Sequence, residues 1–213
     1  YGLLAFLGHG CRKGMDFGFA SCPRLLQAAE GVNVLVERKK ETESSWVLTN
    51  IEYCDFAKFG IEDRPLQEGG RFSRFSSNTN ILFADLKAVE RGVSLSPFPG
   101  LLINLKEGSY VTAQGERRGG VMARLESTMQ NIADVFVETR REGWGTERTY
   151  VTYNHRHKTI STAKKGYVAG GALQETPENC FYDWLKAHRE LLEKRCSFRL
   201  PPLRSVEEYL RFG

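Results

Sequence analysis

The alternation of apolar and polar positions predicts a β-hairpin in the first third of the chain. Residues 32–38 carry valine at every second position, which places the three valines on one face of a strand. Residues 46–53 form a second strand-like run, and the polar segment 39–45 between the two runs has the composition of a turn. The stretch 60–77 is polar and contains glycine, so we expect it to be a loop.

Continuous apolar runs predict strands that are buried on both faces. Residues 81–86 contain one acid in an otherwise apolar run, which is typical of an inner strand of a parallel sheet. Residues 101–105 form a similar short run, and the prolines between the two runs predict a turn or an irregular segment. Residues 150–158 are also strand-like, because their polar and apolar side chains alternate.

Two further stretches have helical periodicity. Ser127 and Gln130 fit the S-x-x-Q capping box, and the apolar residues behind them predict a helix over about 128–140. Thr176 and Pro177 predict another helix, because a hydroxyl caps free amides and proline suits the first turn. We expect core packing for the apolar stripe of that helix, which consists of Phe181, Trp184, Leu185, His188, Leu191 and Leu192. Strands mixed with amphipathic helices predict an α/β fold.

Composition excludes few functions but bounds the class of protein. The 213 residues suit one domain or a large piece of one, and their net charge of +4 fits an anionic small ligand without demanding nucleic acid. Five cysteines are scattered without C-x-x-C spacing, which favours a reduced compartment. No run approaches the roughly 18 apolar residues of a membrane span. The chain starts at Tyr1 with an apolar segment, so we expect native sequence to precede it.

Asn78 and Asn80 stand immediately before the predicted strand 81–86. In an extended backbone their spacing points both side chains to one side. Carboxamides in that position could exchange hydrogen bonds with sugar hydroxyls. The alternative, two loop asparagines that stabilise a turn, is favoured when spacing is the only argument.

The run Asn78-Thr-Asn-Ile-Leu resembles the N-T-N-x-L segment of UDP-glucose pyrophosphorylases. Other short stretches follow in the order of that family and cover roughly residues 1–200. They are Gly18–Cys22, Glu30–Glu37, Ile51–Tyr53, Gly119–Glu126, Thr128–Asp134, Tyr153–Asn154 and Ala163–Lys165. The chain therefore resembles the central part of the UDP-sugar pyrophosphorylase family, and most of all its bacterial-type plastidial UDP-glucose pyrophosphorylase.

The resemblance implies a Rossmann-like nucleotidyltransferase fold, with a mixed sheet and a β-hairpin insertion. Residues 1–200 would be a central to C-terminal part of the catalytic domain, and residues 201–213 a divergent tail. The implied reaction joins glucose 1-phosphate to UTP with magnesium, giving UDP-glucose and diphosphate in the chloroplast stroma. The glycine-rich triphosphate loop is expected before Tyr1, so this chain would supply the sugar-binding half of the site.

The resemblance also assigns roles to single residues. Glu52 matches the acid that holds sugar hydroxyls, and Asn78 or Asn80 matches a sugar-contacting asparagine. Gly31 matches a glycine that lets the backbone approach the ligand. Without the resemblance, a solvated strand glutamate and a turn glycine are the simpler interpretations.

Lys158 matches the family's strand-end lysine, which contacts phosphate and would be the catalytic residue. The match is loose, so His155, Arg156 and His157 remain substitutes, and an ordinary solvated lysine is the simpler interpretation. The two histidines could also bind a metal, but no third ligand is evident and we assign no metal site. One alternative function is a non-catalytic interaction protein on a degenerate nucleotidyltransferase fold. Another is an RNA-binding domain that uses the basic stretch 148–167.

Overall fold

The computed structural model describes residues 2–140, 142–143 and 145–212. Its strands are β1 (Phe17–Leu25), β2 (Val32–Lys39), β3 (Ser44–Ile51), β4 (Phe72–Ala84), β5 (Leu101–Val111), β6 (Arg117–Ser127), β7 (Glu138–Arg140) and β8 (Thr149–Tyr153). Its α-helices are α1 (Gly2–Lys13), α2 (Leu86–Leu95), α3 (Pro177–Cys196) and α4 (Val206–Phe212). Short 3₁₀ helices cover Tyr53–Phe59, Met129–Val135 and Arg156–Lys158.

Six of the strands form one mixed sheet in the order β7-β3-β2-β4-β1-β8. β1 pairs in parallel with β8 and antiparallel with β4. β2 and β3 pair along their whole lengths as an antiparallel hairpin. The predicted α/β class, the mixed sheet and the β-hairpin are therefore confirmed.

Helical elements cover both faces of this sheet. On one face, a cluster of buried residues joins the sheet to the 129–135 turn: Phe17, Phe19, Leu48, Ile132 and Ala133. On the other face, α1 contributes Phe6 to a second cluster with Met15, Ala20 and Tyr150. Alternate residues of β4 pack against opposite clusters, since Leu82 joins the first and Ile81 and Phe83 join the second. The core therefore lies in two layers around a central sheet.

Several predicted elements differ from the observed ones. Strand β4 begins at Phe72, so the loop predicted over 60–77 was wrong at its end, and β4 is antiparallel to its neighbours where parallel pairing was predicted. The helix predicted over 128–140 is a 3₁₀ helix that ends at Val135. Its capping box was wrong because Ser127 donates to the Pro99 carbonyl and Gln130 to Glu52.

Strands β5 and β6 form a separate two-stranded hairpin outside the main sheet. Their paired residues expose one apolar face, to which Ile103, Leu105, Val121 and Leu125 contribute side chains that are 65–68% exposed. Burial was expected for residues 101–105, and that expectation was wrong. A lone pair of strands has no second layer on which to bury its apolar face.

Helix α3 starts as predicted, because the Thr176 hydroxyl accepts a hydrogen bond from the Asn179 N–H over 3.3 Å. Its apolar stripe was wrongly expected to be core, since Phe181 and Trp184 are 60% and 53% exposed. The rings of Tyr182 and Tyr209 lie 6.3 Å apart and join α3 to α4. Among the described residues, no helix is both long and apolar enough to cross a membrane.

Candidate functional site

Gly31, Asn50 and Glu52 meet where β2 begins and β3 ends. A Cβ on residue 31 would lie 2.8 Å from Asn50 Oδ1 and 2.9 Å from Glu52 Oε1, so only glycine leaves both side chains in place. Asn50 Nδ2 donates to Glu52 Oε1 over 2.9 Å, and Gln130 Nε2 donates to the same oxygen over 3.4 Å. Among the described residues no donor reaches Glu52 Oε2, so this oxygen can accept from another molecule.

Asn80 lies in a bulge of β4 formed by Thr79 and Asn80, and Asn78 borders this bulge. The register shifts between Ala20 and Ser21 of β1, so the ladder skips two residues of β4. Asn80 has a left-handed backbone with φ of 59°, which asparagine tolerates better than most residues. Asn78 Nδ2 donates to Asn80 Oδ1 over 2.9 Å. The two side chains are therefore neighbours, through a bulge rather than through the strand alternation that was predicted.

Gly31 connects the two parts of the site. Its carbonyl accepts a hydrogen bond from the Asn78 N–H over 2.8 Å, while its missing side chain makes room for Glu52. Gly31 therefore links the Glu52 carboxylate to the asparagine pair, and we call this set of residues the amide rim. The amide rim consists of Gly31, Asn50, Glu52, Asn78, Asn80 and Gln130.

A buried ion pair lies directly beneath the amide rim. Glu30 is 7% exposed and accepts from Ser77 Oγ over 2.9 Å and from both terminal nitrogens of Arg156. Burial alone would raise the pKa of Glu30, but the hydrogen bonds and charge of Arg156 outweigh it and hold this pKa below its ordinary value. Burial raises the pKa of the nearby Cys22 thiol to about 11, so this cysteine is protonated at neutral pH.

Lys158 lies at the end of the 3₁₀ helix that follows β8 and contacts α3. Its Nζ is 2.8 Å from Glu190 Oε1, which Lys194 also approaches, while His157 Nε2 lies 3.4 Å from Glu190 Oε2. Among the described residues, Lys158 makes no ion pair or side-chain hydrogen bond with the amide rim. Of its predicted substitutes, Arg156 is committed to Glu30. The catalytic role of Lys158 stays a prediction.

Comparison with known proteins gives a relative that covers nearly the whole chain. UTP–glucose-1-phosphate uridylyltransferase 3, chloroplastic, from Arabidopsis thaliana is 38% identical in an alignment of 220 positions that covers 98% of this chain and 25% of the relative. The chain is similar to one segment of a UDP-glucose pyrophosphorylase. This confirms the resemblance that the sequence predicted, and the chain spans about a quarter of the length of the relative it matches. No protein-family model matches the chain.

The fold resembles a solved UDP-sugar pyrophosphorylase structure. An Entamoeba histolytica protein assigned as a UDP-N-acetylglucosamine pyrophosphorylase superposes with a TM-score of 0.60 at 13% identity, over 89% of this chain and 42% of that chain. At this identity the likeness concerns the fold alone, and it supports the predicted nucleotidyltransferase fold. The division into residues 1–200 and a tail 201–213 stays a prediction.

Sequence reasoning missed three residues at or beside the amide rim. Asn50 and Gln130 hold the Glu52 carboxylate, and Lys164 Nζ donates to the Ala29 carbonyl over 2.9 Å, close to Gly31 in the chain. The signal for Asn50 was its position two residues before Glu52, which places both on one face of a strand. Lys164 was part of a stretch that resembles the pyrophosphorylases, yet no role followed from that match.

The basic stretch 148–167 is mostly neutralised within the fold. Arg148 pairs with Asp16, Arg156 with Glu30, and Lys164 with Glu175. Each of these pairings cancels one positive charge that a phosphate backbone would otherwise meet. The structure therefore gives no support to an RNA-binding function.

Proposed function

We propose that this chain supplies the sugar-binding part of a UTP:sugar-1-phosphate uridylyltransferase. The observation that carries the proposal is the Glu52 carboxylate, which two amides hold through Oε1 beside Gly31 while Oε2 stays open. A carboxylate oriented in this way accepts hydrogen bonds from the vicinal hydroxyls of a hexose. The name of the Arabidopsis relative supports glucose as the sugar and the chloroplast as the location.

The amide rim would act by positioning its ligand. Glu52 Oε2 accepts from one sugar hydroxyl, and Asn80 presents its carboxamide from the bulge. Gly31 lets the sugar approach the backbone, because no side chain stands between them. Fixing the sugar orients the phosphate oxygen that attacks the α-phosphorus of UTP. The new phosphorus–oxygen bond forms as the bond to diphosphate breaks, and diphosphate leaves with the bonding electrons.

A lysine near the reacting phosphates would neutralise the charge that develops during this displacement. Lys158 was predicted for this role, but it holds Glu190 on α3. Both lysines hold a carboxylate, but Lys164 also contacts the Ala29 carbonyl two residues before Gly31, so we assign Lys164 to the phosphate. Lys164 Nζ lies 3.0 Å from Glu175 Oε1, and this ion pair would break when Lys164 binds a phosphate.

The resemblance also implies magnesium. Among the described residues, no three histidine, cysteine or acidic side chains come together as a metal site. A magnesium requirement stays a prediction for the complete enzyme.

Calorimetric titration with UDP-glucose and with glucose 1-phosphate tests the sugar site. Because a hydrogen bond to a charged group contributes about 1.5–3 kcal/mol, Glu52→Ala should weaken both ligands by about tenfold or more. The matched control is Glu62→Ala, which removes an exposed carboxylate that pairs with Arg64 outside the amide rim. Equal affinities for the wild type, Glu52→Ala and Glu62→Ala would contradict the proposal.

The substitution Gly31→Ala tests whether the ligand needs the space that a Cβ on residue 31 would occupy. The added methyl would lie within 3 Å of both Asn50 and Glu52, so it must displace the carboxylate. We expect weaker binding of UDP-glucose, measured by the same titration, with the fold retained in circular dichroism. Gly119→Ala is the control, because a Cβ there meets no atom within 4 Å. If Gly31→Ala bound UDP-glucose with unchanged affinity, the ligand would not approach the backbone at residue 31.

A role in an assembly remains the second candidate. The exposed apolar faces of the β5–β6 hairpin and of α3 favour it, since such faces commonly mark contact surfaces. Under this alternative the chain binds neither UDP-glucose nor glucose 1-phosphate in the titration above.

A further inference from the structure

A cleft lies between the 3₁₀ helix Arg156–Lys158 and the N-terminal half of α3. The cleft has a volume of about 430 Å³ and opens between the end of β1, the start of β4, the segment 155–162 and the first turns of α3. This volume falls in the range of roughly 300–1,000 Å³ that is usual for small-molecule sites. None of its lining residues belongs to the amide rim.

The carboxylates that line this cleft already have partners. Asp183 Oδ2 accepts from Ser161 Oγ over 2.7 Å and from Asn179 Nδ2 over 3.2 Å. Glu175 pairs with Lys164 at 3.0 Å. Lys164 therefore neutralises Glu175, whereas Asp183 keeps its negative charge because both of its donors are neutral.

Two cations of the lining have no such partner. Among the described residues, no carboxylate pairs with Arg71 or with Lys186, and both side chains border the cleft. The Arg71 guanidinium lies over the Phe72 ring at 4.9 Å from the centroid, which restricts its orientation. Lys186 is on α3, seven residues after Asn179 and on the same face of the helix. Since two unpaired cations stand against the one carboxylate of Asp183, the lining keeps a net positive charge.

We propose that this cleft is a second anion site, which binds the phosphate group of a small phosphorylated ligand. The planar guanidinium of Arg71 can give two parallel hydrogen bonds to phosphate oxygens, and Lys186 adds a mobile point charge. His155 also lines the cleft. The first turn of α3 adds the partial positive charge of a helix start.

Titration of the chain with inorganic diphosphate at low salt tests this assignment. The double variant Arg71→Gln, Lys186→Gln should weaken diphosphate binding by about tenfold or more, because it removes both unpaired cations. The control Arg38→Gln, Lys87→Gln removes the same charge from β2 and α2, outside the cleft. We expect this control to bind diphosphate within about twofold of the wild type.

Three results would overturn the assignment: no binding of diphosphate by the wild-type chain, unchanged binding in the double variant, or an equal loss in both double variants. Inorganic phosphate and glucose 6-phosphate, titrated separately, distinguish a free anion from a phosphate ester as the ligand. Glu52→Ala should leave diphosphate binding unchanged, while the Arg71, Lys186 double variant should leave UDP-glucose binding unchanged. The two sites can therefore fail independently of each other.

Discussion

Glu30 and Glu190 each collect several basic partners, but they do so in different surroundings. The Glu30 side chain is 5% exposed and that of Arg156 is 20% exposed, whereas Glu190 and Lys158 are 24% and 39% exposed. Hydrogen bonds from Lys158 and Lys194 hold the pKa of Glu190 at about 2. The pKa of Glu30 is lowered as well, against a larger penalty of burial. Both carboxylates are ionised at neutral pH, yet only Glu30 would be left in the interior without water if its partners were removed.

This difference separates a structural ion pair from a surface one. A buried charge depends on its partners because water cannot replace them, and losing one partner is strongly destabilising. An exposed cluster exchanges its partners for water at little cost. We therefore expect the fold around the amide rim to depend on Glu30 and Arg156, and to be indifferent to the contacts of Lys158.

The largest effect should follow from Arg156→Met. This change leaves the Glu30 carboxylate buried with Ser77 as its remaining donor, so we expect a loss of about 3–5 kcal/mol in the free energy of unfolding. Urea denaturation measures it, and Lys158→Met is the matched control two residues away. If both variants lost the same stability, burial would not be what distinguishes the two clusters.

Acid should reveal the same difference with an intermediate effect. Because the folded-state pKa of Glu30 is below its unfolded value of about 4.5, its stabilisation is present above that pH and is lost as the pH falls through the folded-state pKa. The unfolding free energy of Glu30→Gln should therefore fall less than that of the wild type between neutral pH and the acid range. Parallel stability curves for the two proteins would contradict this assignment.

The smallest effect should come from the surface cluster. In a double-mutant cycle of Glu190→Gln and Lys158→Met, we expect no coupling that urea denaturation resolves, particularly at high salt. A clear coupling that survives salt would mean that this cluster is structurally important. It would also make Lys158 less available for a phosphate.

Sequence patterns correctly predicted the elements that depend on interactions between residues close together in the chain. The β2–β3 hairpin follows from alternation over residues 32–38, and the start of α3 follows from the Thr176 cap. Patterns failed where a distant partner decides the outcome. Ser127 and Gln130 look like a capping box, but Pro99 and Glu52 take their side chains and the expected helix stays a short 3₁₀ turn.

The site was predictable in part for the same reason. Spacing singled out Asn78 and Asn80, and the resemblance added Gly31 and Glu52. In the structure Gly31 lies against Glu52 and accepts from Asn78, which in turn donates to Asn80. Their proximity depends on strand order, because β2 lies between β3 and β4 in the sheet. Asn50 and Lys164 were overlooked because their contacts with Glu52 and Ala29 exist only after the strands and the following loop have packed.

The backbone of Asn80 determines how this residue can be studied. Alanine or a β-branched residue at a φ of 59° would strain the chain, so a loss of ligand in such a variant would mix conformation with chemistry. Glycine adopts this conformation without a steric penalty and removes the carboxamide alone. Asn80→Gly is therefore the substitution whose effect on affinity can be read as that of the side chain.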